Sequence, residues 1–191
     1  MSRPALLLVL CVSLLAACGE QPDDPPRVFD VKVPRGSKPA DFPAAGMSFT
    51  RPANWRLRES DAPGVFELVS GQAVVAGWAY PREEPLPESE AELEGARERL
   101  LDAIEERDPD YEIQYAAAID VADAPAIDVT GRQVISNLAL RTRSVHVFKG
   151  EVEYVIEAIA PPGDFELVES RVLTPLLDSL ELEGEPPEDA G

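Results

Sequence analysis

From Met47 onward, short stretches rich in apolar, β-branched and aromatic residues recur between turn-forming Pro, Gly and Ser, the signature of β-strands. Residues 47–50, closed by Pro52, are the first such stretch, and residues 55–59, 65–69 and 73–80 follow. Ser70, Gly71 and Gln72 separate the last two as a hairpin turn would. Pro81, Pro85 and Pro87 then end the run, because proline cannot donate to a strand ladder.

The pattern changes next. Leu93, Ala96, Leu100 and Ile104 recur at helical spacing, which predicts an amphipathic helix over 90–107 with Glu94, Arg97, Glu98, Asp102 and Glu105 turned to solvent. Ser89, followed three residues later by Glu92, is a capping box for its first turn. Strands resume over 111–121, 126–134 and 138–160. Within the last stretch, Lys149 and Gly150 read as a two-residue hairpin turn. That turn sets Val147 opposite Val152, Val145 opposite Tyr154 and His146 opposite Glu153. Val145, Val147, Val152, Tyr154, Ile156 and Ala158 then line a buried face, while His146, Glu151, Glu153 and Glu157 point to water. A closing helix carries Phe165, Val168, Val172, Leu176 and Leu180 behind an Asp164 cap. Pro175 is expected to kink that helix, or to restart it with Thr174 as a fresh cap.

Charge narrows the class of partner. The 191 residues hold 17 Lys plus Arg against 36 Asp plus Glu, a formal net charge of −19. A surface that repels phosphate lacks the counterion release that drives nucleic-acid binding, so no nucleic-acid partner is expected. An anionic bilayer repels it too, and membrane attachment has to come from acyl chains rather than from a basic patch.

The N-terminus offers such chains. Arg3 precedes an apolar run over residues 5–15, of signal-peptide length and too short to span a bilayer. The tetrad Leu15, Ala16, Ala17, Cys18 that follows resembles the lipobox of bacterial lipoproteins. The resemblance implies cleavage after Ala17, a diacylglyceryl thioether on Cys18 and a further acyl chain, such as palmitate, on the freed amine. Cys11 is lost with the leader and Cys18 is consumed, so the mature domain has no thiol for a disulfide, a metal site or a nucleophile. Beyond those covalent chains no cofactor is expected. Gly19 stands where many Gram-negative lipoproteins carry the aspartate that retains them at the inner membrane. The expected address is therefore the extracytoplasmic face of the plasma membrane, or the outer membrane where the source has one.

These signals divide the chain. Residues 1–17 are the cleaved leader and 18–45 a tether carrying Pro22, Pro25, Pro26, Pro34, Pro39 and Pro43. Residues 46–182 are the globular domain and 183–191 an acidic tail. Val28, Phe29, Val31 and Val33 alternate, so docking of this piece as an edge strand would shorten the tether.

The order of elements resembles the PsbP-like family, together with the opening Phe49, Pro52 and Trp55, the late-strand Tyr154 and the closing Leu177, Asp178, Ser179, Leu180. That family includes the extrinsic photosystem II subunit P, the Mog-type Ran-binding proteins and lipoproteins of the LpqN type. The resemblance covers residues 46–182 and implies an α+β fold in which an antiparallel sheet is flanked by helices, an α/β/α sandwich. It also implies binding or assembly rather than catalysis. The photosystem branch is associated with manganese and calcium, but no residue set here matches, so no metal role carries over.

Candidate chemistry is sparse. His146 is the single histidine, and the chain has no Gly-x-Ser-x-Gly elbow to present Ser48 or Ser144 as its nucleophile. The His146–Glu153 pair reads as a surface contact. Asp108, Asp110 and Glu112, and separately Asp120, Asp123 and Asp128, are acid clusters without EF-hand spacing, and they read as solvated turns and strand ends. Trp55 and Trp78 read as packing residues. Arg141 and Arg143 stand out, because the alternation puts both on the face of Val145 and Val147, where a guanidinium needs a partner. That partner is either an acid of the last helix, Glu166 or Glu169, or a bound anion.

The expectation is thus a non-enzymatic, membrane-anchored lipoprotein that binds or scaffolds a cell-envelope component. The alternative is a binding protein for a small anionic or amphipathic ligand held at Arg141 and Arg143. A hydrolase built on His146 ranks third.

Overall fold

The computed structural model describes residues 29–185. Its strands are β1 (Ser37–Phe42), β2 (Met47–Pro52), β3 (Arg56–Glu59), β4 (Gly64–Ser70) and β5 (Ala73–Pro81). After helix α1 (Glu90–Arg107) come β6 (Glu112–Val121), β7 (Ala124–Ile135), β8 (Leu138–Lys149) and β9 (Val152–Ala160). The chain closes with α2 (Pro162–Val168), a π turn over Glu169–Leu173, α3 (Thr174–Asp178) and the short β10 (Glu181–Leu182). Seven strands form an antiparallel sheet in the order β3-β4-β5-β9-β8-β7-β6, and a second, three-stranded sheet runs β1-β2-β10.

Alternation sorts the large sheet into two faces. Val75, Val145, Val147, Tyr154, Ile156 and Ala158 are fully buried on one, against Phe165, Val168 and Leu176 of the C-terminal helices and Met47 and Phe49 of the small sheet. Each such aliphatic side chain contributes about 1.5–3 kcal/mol on burial. Phe42, Phe49 and Phe66 knit the two sheets together, with ring centroids 4.6 to 5.8 Å apart. On the other face α1 lays Leu93, Ala96, Leu100 and Ile104 over Ile127 and Val129. This is the expected α+β architecture, and α1 has the expected bounds and the expected Ser89–Glu92 capping box.

The tether does not reach Ala45. Residues expected to be linker form β1 and a 3-10 turn over Pro43–Ala45, with Ala40, Phe42 and Ala45 in the core. Pro39 is tolerated because β1 is an edge strand of its sheet, where a missing donor leaves no partner unpaired. Upstream, residues 31–36 dock through side chains rather than as an edge strand. Trp55 Nε1 donates to the Lys32 carbonyl at 3.1 Å, Asn54 Nδ2 to the Val33 carbonyl at 2.9 Å, and the Arg35 amide to Asn54 Oδ1 at 2.8 Å. At the other end the fold continues to Gly184, whose amide donates to the Tyr154 hydroxyl at 3.2 Å.

The β8–β9 hairpin differs by one step. Gly150 and Glu151 make the turn, with Gly150 at φ 61°, so Lys149 pairs with Val152, Val147 with Tyr154 and His146 with Val155. The register shifts by two residues, which preserves the assignment of side chains to faces. The closing helix starts at Pro162 behind Pro161, so Asp164 lies inside its first turn rather than capping it. Thr174 does not cap a restart, because Leu173 and Thr174 both keep helical backbone; the helix instead widens into a π turn just before Pro175. The Thr174 amide reaches back to the Glu169 carbonyl in a π turn, and this wider turn accommodates a residue that has no amide to donate.

The antiparallel order gives the large sheet two distinct ends. At the proximal end lie the β4–β5 and β7–β8 turns and the last residue of β9. Phe29 and Asp30 lie there too, pressed against Gly71, where their backbone atoms come within 2.5 Å of the place a Cβ would take. The distal end carries the β3–β4 and β8–β9 turns and the end of β5.

Candidate functional site

Cys18 and the leader fall outside the described residues. No described helix is long and apolar enough to cross a membrane. What can be followed is the point where the chain joins the fold, at Phe29 on the proximal end.

The sheet brings Arg141 and Arg143 to the core face, as alternation predicts, but it engages Arg143 internally. Arg143 Nε and Nη2 donate to the two carboxylate oxygens of Asp128 at 3.0 and 2.9 Å, and Nη1 donates to Glu169 Oε1 at 3.2 Å. Burial opposes the charge on Arg143, yet the hydrogen bonds from Arg143 to Asp128 and the two acids' charges outweigh it and raise its pKa above the usual arginine value. Glu169 was an expected partner. Asp128 was not, because it stood in a cluster read as solvated; in β7 it lies diagonally across from Arg143, and only the β7–β8 register reveals that. Arg141 lies with its guanidinium carbon 4.5 Å from the Phe165 ring centroid, and its Nε is buried without a hydrogen-bond partner among the described residues.

On the opposite face the expected surface contact is an enclosed one. Glu153 is 7% exposed. It accepts from His146 Nδ1 at 2.8 Å and from the guanidinium of Arg82, a residue the sequence did not flag. Burial pushes the Glu153 carboxyl up, but the hydrogen bonds from His146 and Arg82 prevail and its pKa is lowered. Two rungs along, burial raises the Glu157 carboxyl, and the charges of Arg107 and His146 only partly offset this. Tyr80, opposite Glu153, is raised by burial and by that carboxylate. His146 is therefore held by a carboxylate, while Ser48 bonds Glu181 of the small sheet at 3.3 Å. Asp110 and Asp108 form a turn after α1, the Asp110 amide donating to Asp108 Oδ1 at 3.2 Å. Among the described residues no three His, Cys, Asp or Glu side chains converge as metal ligands would.

Two clefts open at the distal end. One, of about 380 Å³, is lined by Phe42, Pro43, Ala45, Val65 and Ala79 with Asp41 and Glu59 among its acids. The other, of about 530 Å³, lies under the proline loop, between Arg82, Pro85, Pro87, Pro125 and Phe148. Arg141 and Arg143 line neither. Sequence reading missed the first cleft because five of its twelve lining residues come from the segment read as tether; the Phe42-Pro43 pair beside an apolar strand was the available signal.

No family model matches the chain, and no curated protein matches it. Solved structures match its fold. The solution structure of cyanobacterial PsbP (CyanoP) from Synechocystis sp. PCC 6803 aligns with a TM-score of 0.59 at 9% identity, over 76% of this chain and 92% of that one. The crystal structure of LpqN, a protein involved in cell envelope biogenesis of Mycobacterium tuberculosis, aligns with a TM-score of 0.56 at 13% identity, over 77% and 90%. A Bacteroides thetaiotaomicron protein gives 0.52 at 14% identity, over 78% of this chain and 50% of that one. The chain thus has the PsbP-like α+β fold.

Proposed function

We propose that this chain is a lipid-anchored, non-catalytic domain on the extracytoplasmic face of a bacterial membrane, where its distal end binds or scaffolds a cell-envelope component. The observation that carries the reading is polarity. The segment leading back to Cys18 joins the fold at the proximal end, beside a cleft of about 360 Å³, while clefts of about 380 and 530 Å³ face away from it at the distal end. A lipoprotein tethered at one end presents the other outward, and the lipid concentrates it in two dimensions. The envelope role recorded for the LpqN neighbour fits the same reading.

The test compares native cells with a Cys18→Ala variant by membrane fractionation and by cross-linking through the distal clefts. Acylation of Cys18 by mass, release of the variant from membranes and loss of partner capture are the expected results. Membrane retention of the variant would overturn the lipid anchor.

The 380 Å³ cleft favours a second reading, in which the occupant is a small apolar or amphipathic ligand, since its size and largely apolar lining suit one. For an anionic ligand at Arg141 and Arg143, Arg143 is already engaged by Asp128 and Glu169, which leaves Arg141, whose Nε has no partner among the described residues.

A further inference from the structure

The β7–β8 hairpin outruns the sheet that carries it. Arg132 is the last β7 residue with a partner in β6, and Arg141 is the first β8 residue with a partner in β9. Beyond them Gln133 to Leu140 pair only with each other, around a Ser136–Asn137 turn in which both residues have positive φ, 52° and 65°. At about 3.3 Å per residue this finger projects roughly 10 Å past its neighbours.

Both faces of the finger are apolar. Val134 lies opposite Ala139 and Ile135 opposite Leu138. Val134 is 68% exposed, Ile135 48% and Leu138 38%, the most solvent-exposed group of large aliphatic side chains in the described residues. A hairpin with apolar side chains on both faces and no covering element has no place in the fold's own core, so its burial has to come from outside.

Its charge and position indicate with what. In a chain with 36 acids, residues 129–150 contain none; of the cations among them Arg132 lies at the root of the finger, while Arg143 is paired inside the fold and Lys149 lies at the distal turn. The nearest acid across the ladder, Glu112, pairs with Arg132 at the root of the finger and not at its tip. The finger points from the proximal end, the one that receives the chain from Cys18. Three inter-strand spacings, about 14 Å, separate the β4–β5 turn that holds Phe29 from the β7–β8 turn. Phe29 is itself 70% exposed, and Lys32 and Arg56 line the cleft of about 360 Å³ beside it, next to the exposed Asp30. Phe29 follows Cys18 by eleven residues, at most about 40 Å along an extended chain.

We infer that the Val134–Leu138 finger inserts into the headgroup region of the bilayer in which Cys18 is anchored. It forms a second, reversible membrane contact that fixes the domain upright and holds its distal clefts away from the surface. Apolar tips enter the interfacial zone by burying aliphatic area, and the finger, which carries no acid, escapes the repulsion that the rest of the chain meets at anionic headgroups. The inference rests on the anchored reading above.

The acylated protein has no free thiol, so a single cysteine can carry an environment-sensitive dye, at Ile135→Cys on the finger or at Glu151→Cys on the distal turn. In vesicles of phosphatidylethanolamine and phosphatidylglycerol with brominated acyl chains, the finger dye is expected to shift blue, lose quenching by aqueous iodide and gain quenching by bromine. The distal dye is expected to do none of these. Equal water access at both positions would overturn the proposal. So would shielding of the finger dye without lipid that grows with protein concentration, since a second copy would then be the cover. If mass analysis finds Cys18 unacylated, the anchor fails on its own, and the finger is judged on the Cys18→Ser chain. That chain must then partition to the same vesicles, and Ile135→Ser/Leu138→Ser, with its fold verified by circular dichroism, must lower the partitioning by about tenfold or more; failure to partition would overturn the finger as well.

Discussion

The Arg143 guanidinium grips the Asp128 carboxylate through two parallel hydrogen bonds, 3.0 Å from Nε and 2.9 Å from Nη2, on the core face of adjacent strands. This fork geometry suits arginine and not lysine. It turns Arg143, which looked available for a ligand, and Asp128, which read as a solvated strand end, into part of the packing between the sheet and the C-terminal helices.

Breaking the pair is therefore expected to be costly. Asp128 is 6% exposed, and Arg143→Met leaves its carboxylate buried without its main partner. A loss of about 3 kcal/mol is expected in urea unfolding, with much of it recovered in Arg143→Met/Asp128→Leu, which removes both charges.

The other face responds to acid. The Glu153 pKa is lowered, so its contribution to stability is present above the ordinary glutamate value of 4.5 and is lost as pH falls from there through the folded value. The Glu157 pKa is raised, so the folded state binds its proton more tightly, and its contribution is present below 4.5 and is lost as pH rises through the folded value. Glu153→Gln is expected to destabilise the protein at pH 7, with the effect shrinking in acid. Glu157→Gln is expected to stabilise it at pH 7. Thermal melts of both variants between pH 3 and 7 check the opposite signs.

Gly77 pairs with Ile156 in β5, and a Cβ there would collide with the Phe66 ring that holds the two sheets together. Gly77→Ala is expected to cost about 1–3 kcal/mol by overpacking, read as a lower urea midpoint without a change in slope.

Ser89 caps α1 by accepting from the Glu92 amide at 3.3 Å, while Glu92 accepts in return from the Ser89 amide at 3.0 Å. Amide hydrogen bonds from Glu88 and Ser89 and the Ser89 hydroxyl also lower the Glu92 pKa. Ser89→Ala is expected to lower stability by about 1 kcal/mol, measured as a drop in melting temperature, with Ser89→Asp restoring most of it.

Local periodicity and capping chemistry by themselves determined the bounds of α1, the strands on both sides of it, and which side chains of β8 and β9 face the core. These follow from neighbours a few residues apart, where spacing dictates direction. The Arg143–Glu169 contact was legible for the same reason, because a guanidinium on a buried face must find an acid. Tertiary structure alone decided the rest. It folded Ser37–Ala45 into the domain, because an edge strand tolerates Pro39 and the core needs Phe42. It enclosed Glu153 by bringing Arg82 to it across 71 residues of sequence, a distance over which no local pattern carries information. It also set the finger and Phe29 at one end of the sheet and the cleft under the proline loop at the other, since which turns share an end depends on strand order, and strand order is settled only when the whole sheet buries its two faces.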